Sequence, residues 1–397
     1  MKFLKSPTGE TSKIQNRINH WIVTIGLFAS VTGCMSSEPP QATAPSPKES
    51  LLLNSSAAVK ATSLQELHNR IYEQAQALIA QGQGARPDGY VYTVDLSQFL
   101  TYAVMQKDRR LYTPLRDFAV RRLILNNRSD PYTRGFVLWR YREGSSPDAS
   151  GTTEALRLAQ SFWLGNQVFG DKSDREQAVL ILKGYMRHAH TDNGVWLIRN
   201  YFNLETRAFA TNSFLVGYDP DFLREAGQAT GDPTLQKVAQ QSYTMVRQAV
   251  APSGLLYDII QPEVLTLVPE LKNLAIFSPN DVVKLANTCT VAERAVTEAP
   301  EIGQRVLRFA QERLPKLSPY YYGRTGEPVL ENDAAAPTYA CLVRLAIKQK
   351  DQKALNAFLN SFVIHAEFVR QNPKKSSLYT VNEVLLALQS VLEHEAF

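Results

Sequence analysis

Apolar residues recur at helical spacing along most of the chain. In segment 64–82, Leu64, Leu67, Ile71 and Ala75 fall on one face, as in an amphipathic helix. The same pattern, broken by Gly, Pro and Asp/Asn, predicts eleven further helices. These lie near 95–106, 111–126, 152–169, 174–190, 219–230, 233–250, 279–298, 300–314, 333–349, 351–371 and 379–395.

Capping residues support several of these boundaries. Ser63, followed by a glutamate three residues later, predicts a capping box before the first helix. Asp219 and Asp232 each precede a proline, which suits an N-cap and the first helical position. Gly231 suits a helix C-terminus.

Twelve helices form six consecutive pairs, which we expect to pack antiparallel and to close into a double-layered ring. The inner helices would then begin at one rim, under long aromatic loops, where binding residues are common. These aromatic residues form either an apolar plug or a groove that stacks sugar rings. The candidate groove residues are Trp139, Trp196, Tyr201, Tyr218, Tyr257 and Tyr321.

The N-terminus has the order of an export signal. A polar, basic leader precedes an apolar run over 21–33 that is too short to span a bilayer comfortably. The run ends in Val31-Thr32-Gly33-Cys34, which resembles the cleavage box of a bacterial lipoprotein. Acylated Cys34 would hold the protein on a membrane surface, exported to the periplasmic or extracellular face. An ordinary N-terminal anchor is the alternative.

Three regions follow from this pattern. We expect a lipoprotein signal peptide over 1–33 and a lipidated cysteine with a flexible linker over 34–62. The helical domain would cover 63–397. The linker is predicted to be disordered because its Ser, Pro and Ala residues cannot bury enough apolar surface.

Composition excludes two classes of function. The formal net charge is +5, but +3 of it lies in the first 33 residues, and no dense Lys/Arg run follows. Nucleic-acid binding is therefore not expected. The one His-x-His, His188 and His190, lacks acidic or cysteine companions, so we expect no metal. Cys289 and Cys341 could pair or be core residues.

Asp281 is the acid with the most informative neighbours. Ser278 and Pro279 suit the start of a helix, which would place Asp281 near the third helical position. A first-turn acid is favoured by the free backbone N–H groups and the helix dipole. The alternative role is that of a catalytic base.

A resemblance extends across roughly residues 64–350. Its segments, in order, are 93–105, 108–112, 138–140, 148–155, 218–223, 229–233, 251–258, 278–285 and 331–345. The best local match reads Ala251-Pro252-Ser253-Gly254-Leu255 and ends at Asp258. Together these segments resemble family 8 glycoside hydrolases, which include the endoglucanases that accompany bacterial cellulose synthases. That family folds as an all-α (α/α)6 barrel, in agreement with the six pairs.

The resemblance implies hydrolysis of β-linked glucan chains with inversion. The family's acid, a glutamate, corresponds to Asp95 if a one-residue gap is allowed and to Val94 otherwise. Its base corresponds to Asp281, and Lys284 stands where the family has arginine. The family's Asp-x-Asp, whose first acid grips the sugar at the cleavage point, is missing, and Glu154 is the only nearby acid. Glu154, Asp258 and Lys284 are thus the candidate polar residues for substrate binding. Asp95 could instead be an N-cap, and Glu154 a first-turn acid.

Three functions fit these observations. The first is a lipid-tethered, cofactor-independent glycosidase of the inverting endo-β-glucanase type, acting on an exported or cell-surface polysaccharide. The second is a degenerate glycan-binding lipoprotein of a polysaccharide synthesis or export assembly. The third is a helical protein-interaction lipoprotein. A polysaccharide lyase would need a Tyr/His pair beside a basic cleft, and no clear pair is present. We favour the first.

Overall fold

Twelve α-helices provide most of the regular structure in the computed structural model, which describes residues 61–192, 195–262 and 280–395. The predicted signal, the linker and Cys34 lie outside these residues. Across the described ranges, no helix is both long and apolar enough to cross a membrane. The helices are α1 (Ala61–Ala80), α2 (Thr93–Met105), α3 (Arg109–Arg122), α4 (Thr152–Phe169), α5 (Lys172–Met186), α6 (Pro220–Thr230), α7 (Pro233–Gln248), α8 (Leu285–Glu293), α9 (Pro300–Gln311), α10 (Ala336–Lys348), α11 (Gln352–Gln371) and α12 (Leu378–Glu395).

The predicted caps of α6 and α7 are confirmed. Asp219 accepts a hydrogen bond from the backbone N–H of Phe222, and Asp232 accepts from the N–H groups of Thr234 and Leu235. Gly231 ends α6 in the left-handed region, with φ +68°. Such caps satisfy backbone groups that the helix ends leave free. The first predicted cap is wrong, because α1 begins at Ala61 and therefore includes Ser63.

The helices alternate between an inner and an outer layer. Ten of the thirteen residues of α2 are buried, against three of the fourteen in α3, so α2 is an inner helix and α3 an outer one. Among the inner helices, α2 packs against α4 and α12, and α10 packs against α8 and α12. A 3-10 turn, Leu215–Gly217, contacts both α4 and α8 and completes the ring before α6.

The two ends of the ring differ in the length of their loops. Links of a few residues lead from each inner helix to the next outer one, whereas longer loops lead into α2, α4, α6, α8 and α10. The N-termini of the inner helices therefore share one rim, beneath the longer loops. This arrangement confirms the predicted (α/α)6 architecture.

Short strands brace the rim loops. They are β1 (Val91–Tyr92), β2 (Arg140–Tyr141), β3 (Ala149–Gly151), β4 (Ala189–Asp192), β5 (Val195–Ile198), β6 (Tyr201–Asn203), β7 (Ala208–Phe209), β8 (Ser213–Phe214), β9 (Ile259–Ile260), β10 (Val282–Lys284) and β11 (Tyr320–Tyr322). All pairs are antiparallel: β1 with β2, β3 with β6 and β6 with β7, β4 with β5, β8 with β9, and β10 with β11. Because β10 leads directly into α8 and β3 into α4, these pairings fix where the inner helices begin.

The predicted helix start near residue 279 is wrong. Val282–Lys284 is the extended strand β10, and the helix begins at Leu285. Two β-branched residues favour this strand, which pairs with Tyr320–Tyr322. Asp281 has a left-handed backbone, φ +58°, immediately before the strand. Ser278 and Pro279, the expected cap and first residue, lie outside the described residues.

The two cysteines of the inner helices are core residues. Cys289 in α8 and Cys341 in α10 are both buried and unbridged. Burial raises the pKa of the Cys289 thiol well above its ordinary value, and Cys341 contributes in the same direction. The core interpretation is therefore confirmed.

A buried charge network joins the inner helices below the rim. Glu383 of α12 accepts hydrogen bonds from Gln98 of α2 and, at 2.7 Å, from Arg344 of α10. Arg157 of α4 lies 3.6 Å from the same carboxylate, and Arg344 also contacts Glu293 of α8 at 3.3 Å. Burial alone would raise the pKa of Glu293, but Arg344 and Lys348 outweigh it and hold the value at about 2. One network thus connects five of the inner helices.

Removing Glu383 should destabilise the ring. Glu383→Ala leaves the partly buried Arg157 without this partner and reduces the anionic partners of Arg344, so we expect a loss of about 3–5 kcal/mol in the free energy of unfolding. Chemical denaturation followed by circular dichroism measures it. Glu73→Ala, which removes an exposed pair with Arg70, is the control and should stay within about 0.5 kcal/mol of wild type. Equal losses in the two variants would contradict a structural role for the network.

Candidate active site

Asp95 and Glu154 occupy equivalent positions on adjacent inner helices. Each is the third residue of its helix, Asp95 in α2 and Glu154 in α4. Both therefore lie in a first turn at the rim, where free N–H groups and the helix dipole favour an acid. Asp95 is not an N-cap, because Tyr92 occupies that position.

Asp95 is engaged by a buried arginine. Arg86, in the loop before α2, donates from Nε to Oδ2 and from Nη2 to Oδ1, both at 2.9 Å. Asp95 is only 1% exposed. The Arg86 guanidinium also lies 3.9 Å from the centre of the Tyr92 ring. This bidentate pair fixes the α1–α2 loop onto α2. A carboxylate that already accepts both hydrogen bonds, with almost no exposed surface, has a structural role here.

Glu154 has a different environment. It is partly exposed at the rim, and its Oε2 lies where a Cβ on residue 151 would be, so Gly151 is required for this placement. Although part of the residue is exposed, desolvation of its carboxyl group by the surrounding protein raises the pKa of Glu154 to about 7. Its own backbone N–H, Arg157 and Arg86 oppose this increase, and nearby Asp95 adds to it. Glu154 is therefore a carboxyl that keeps its proton close to neutral pH.

Asp281 lies at the start of β10 with three donors around its carboxylate. The Tyr257 hydroxyl donates to Oδ1 at 3.1 Å, and the backbone N–H of Arg324 donates to the same oxygen at 3.0 Å. The Arg324 guanidinium, whose side chain is 58% exposed, donates to Oδ2 at 3.2 Å. Burial, with a further contribution from Asp281, raises the pKa of Tyr257 to about 12. The Asp281 side chain keeps 14% of its surface exposed.

Asp258 anchors the beginning of α8. Its Oδ2 accepts hydrogen bonds from the backbone N–H of Lys284 at 3.0 Å and from Asn287 Nδ2 at 3.2 Å. Burial raises the pKa of Asp258 to about 7, although these two donors oppose the increase. The predicted site residues Asp258 and Lys284 are thus joined directly, at the backbone of Lys284.

Contacts along the rim connect the start of α4, which carries Glu154, with Asp258 near the start of α8. The backbone N–H of Leu215 donates to the carbonyl of Asp258 at 2.8 Å, and Gly217 packs against Thr152, at the start of α4. The turn 215–217 therefore lies between Glu154 and Asp258. Asp95 and Asp281, the predicted catalytic pair, lie at the same end of the ring. Within the described residues, no three His, Cys, Asp or Glu side chains converge to hold a metal.

Three of the six predicted groove aromatics are enclosed. The Trp139 indole donates to Asp148 at 2.7 Å. The Tyr218 hydroxyl accepts from the backbone N–H of Ile198 at 2.8 Å, and that of Tyr321 from Ser318 at 2.8 Å. Their polar groups are used within the loops and their rings are buried, so these three support the rim instead of facing a ligand.

The other three aromatic positions differ in exposure. Trp196 on β5 and Tyr201 on β6 are partly exposed. The rings of Trp196 and Tyr218 make an edge-to-face contact, with their centroids 6.1 Å apart. Tyr257 is buried, but its hydroxyl reaches Asp281.

Sequence reasoning missed four rim residues. Tyr322 is 40% exposed and directly precedes Gly323 and Arg324, whose backbone N–H groups donate to Asp281. The side chains of Arg86 and Arg324 bind the two predicted catalytic acids. The Tyr90 ring packs against the guanidinium groups of Arg140 and Arg142, whose central carbons lie 4.1 and 4.4 Å from the ring centre. A signal existed for Tyr322: in the strand 320–322 alternate side chains face opposite sides, so the middle tyrosine is buried and its neighbours are not.

Comparison with known proteins finds similar folds. No protein-family model matches the sequence, and a search of curated proteins finds no significant match. Solved structures do match. An alpha-amylase from Clostridium perfringens is 13% identical, with a TM-score of 0.65 over 82% of this chain and 97% of that one.

Two further structures show the same likeness. A GH8 protein from Teredinibacter turnerae, solved as a xylobiose complex, is 14% identical with a TM-score of 0.59 over 86% of this chain and 94% of its own. A beta-1,3-1,4-glucanase from Paenibacillus sp. X4 is 12% identical with a TM-score of 0.62 over 84% and 93%. The chain therefore has the six-hairpin fold of family 8 glycoside hydrolases, as the motifs predicted.

The pKa of Glu154 predicts a pH-dependent difference in stability. An acid with a folded-state pKa of about 7 and an ordinary value of 4.5 binds its proton more tightly when folded. Its stabilising contribution is complete below pH 4.5 and is lost as the pH rises towards 7.

Glu154→Gln stays neutral, so it should match wild type near pH 4.5 and exceed its unfolding free energy by about 1–3 kcal/mol at pH 8. Denaturation curves across this range measure the difference. Glu73→Gln should show no such trend. A difference between Glu154→Gln and wild type that does not change with pH would contradict the assignment.

Proposed function

We propose that this protein is an inverting glycoside hydrolase that cleaves a polysaccharide at the rim where the inner helices begin. Cleavage with inversion needs one protonated carboxyl for the leaving oxygen and one carboxylate that activates water. The observation that carries the proposal is the distribution of acids on this rim. Carboxyl groups come from the first turns of α2 and α4 and from the segment before α8, in a fold shared with glycosidases.

Asp281 is proposed as the base. Its carboxylate is oriented by Tyr257 and Arg324 while part of it remains exposed. A positioned, accessible carboxylate suits proton abstraction from a water molecule. The proton donor belongs to the opposite side of the scissile bond, which here means the α2 and α4 side of the rim.

The substrate is proposed to be a β-linked glucan-type chain, bound along the rim and cleaved internally. Exposed Tyr322 pairs with Val282, the residue after Asp281, and offers an aromatic face on which a sugar ring can stack. Trp196 and Tyr201 are the partly exposed aromatic residues of the loop before α6. The similar structures are named for both alpha-amylase and beta-glucanase activities, so a substrate panel must include both linkages.

Replacing the proposed base should abolish cleavage without unfolding the protein. We expect Asp281→Asn to lower kcat/KM by about 10²–10⁴-fold, measured as reducing ends released from β-1,3-1,4-glucan, xylan, cellulose derivatives and starch. Asp117→Asn, on the outer helix α3, is the matched control and should retain full activity. If Asp281→Asn cleaves as fast as the wild-type protein, Asp281 is not the base.

The panel also separates the other functions. Binding of a glycan without cleavage by wild type would favour the glycan-binding lipoprotein of a synthesis or export assembly. Neither binding nor cleavage would favour the protein-interaction hypothesis.

We also propose that lipid chains on Cys34 anchor the exported protein to the cell envelope. The order of basic leader, apolar run and Val31-Thr32-Gly33-Cys34 supports this. In a bacterial host, the full chain should incorporate a labelled fatty acid and sediment with membranes. Cys34→Ala should lose both properties, and label that persists in this variant would refute the anchor.

A further inference from the structure

We propose that Glu154, in the first turn of α4, donates the proton to the glycosidic oxygen, in place of Asp95. The inference rests on the proposed function and assigns the acid within that site. It follows from how the two neighbouring carboxyl groups are held.

Asp95 is poorly placed to donate a proton. Both of its oxygens accept hydrogen bonds from Arg86, and the residue is 1% exposed. Its backbone carbonyl also accepts from Asn382 Nδ2 at 2.8 Å, which ties this turn to α12. Donation would require breaking a buried bidentate ion pair, and such pairs are costly to break.

Glu154 has the opposite combination of properties. It is partly exposed on the same rim, one helix further along the ring, and Gly151 leaves room for its carboxyl group. The charged groups that act on it are Arg157 on its own helix, Arg86 from the α1–α2 loop and Asp95 on α2. Burial outweighs the two cations, and the Asp95 charge disfavours a second negative charge beside it.

The paired environment therefore divides the two roles. Arg86 holds Asp95 as a carboxylate, and Asp95 in turn helps Glu154 to remain a neutral acid. Two carboxyl groups whose surroundings separate their protonation states are the usual arrangement for acid–base assignments. The pKa of Glu154, about 7, matches a donor that works near neutral pH.

Proton donation by Glu154 accompanies cleavage of the glycosidic bond. Glu154 transfers its proton to the glycosidic oxygen as the bond from the anomeric carbon breaks, and the bonding electron pair stays on that oxygen. Water attacks the anomeric carbon from the opposite face, and Asp281 takes its proton. Glu154 ends ionised and Asp281 protonated, and exchange with solvent restores both groups. The net reaction consumes one water and releases two sugar fragments.

The pH–rate profile of variants tests this assignment. In wild type, kcat/KM should fall above pH about 7, as Glu154 loses its proton. Glu154→Gln should lower kcat/KM on the natural glycan by about 10²–10⁴-fold and should lack this alkaline fall. The loss should be much smaller on an aryl oligosaccharide with a good leaving group, because such a group departs without protonation.

A conservative variant and a neighbouring variant complete the design. Glu154→Asp keeps a proton donor, so it should be less active than wild type but retain the alkaline fall. Asp95→Asn should lose thermal stability. Its remaining activity should still show the alkaline fall, moved to a pH below about 7, because the Asp95 charge no longer disfavours ionisation of Glu154. Circular dichroism spectra confirm that each variant is folded.

The outcomes distinguish two failures. If wild type cleaves neither the polysaccharide panel nor the activated substrates, the proposed function fails and this assignment with it. If wild type is active but Glu154→Gln retains near-normal activity and the alkaline fall, only this assignment is overturned. The same holds if Asp95→Asn, and not Glu154→Gln, removes the alkaline fall.

Discussion

The structure depends on a buried charge network that closes a ring from helices far apart in sequence. Glu383 of the last helix binds Gln98 of the first inner helix and Arg344 of α10, and it lies near Arg157 of α4. Buried charges are costly unless paired and hydrogen-bonded, so this carboxylate permits only arrangements that bring its partners together. The network fixes the inner helices relative to one another. It thereby fixes the rim on which their N-termini lie.

At that rim, equivalent helix positions acquire different chemistry from their surroundings. Asp95 and Glu154 are both third residues of inner helices, but Asp95 is held by a bidentate contact with Arg86. The arginine removes one carboxyl from solvent, and burial beside the resulting negative charge favours the protonated form of the other. A glutamate that the sequence suggested for sugar binding thus becomes the better candidate acid. The fold is common to solved glycosidases, whereas this division of roles comes from the residues of this chain.

The fold was largely predictable because its information is local. Helical periodicity located all twelve described helices, and Asp219, Asp232 and Gly231 marked boundaries through bonds within a few residues. Prediction failed where a distant partner decides the conformation. Val282–Lys284 pairs with Tyr320–Tyr322, and this pairing moved the start of α8 beyond the predicted position. Tyr321 was predicted to bind sugar, but its strand turns it inward and leaves Tyr322 outward.

The sequence by itself determined the helices, their pairing into an (α/α)6 ring and the set of acids near the helix starts. These features depend on apolar spacing, capping residues and link length, all of which can be read along the chain. Only the tertiary structure decided which acids are accessible and which carry a proton. That outcome depends on burial and on charges from other elements, as with Arg86 at Asp95 and Arg324 at Asp281. No local pattern contains those distances, because the ring brings the partners together only when it closes.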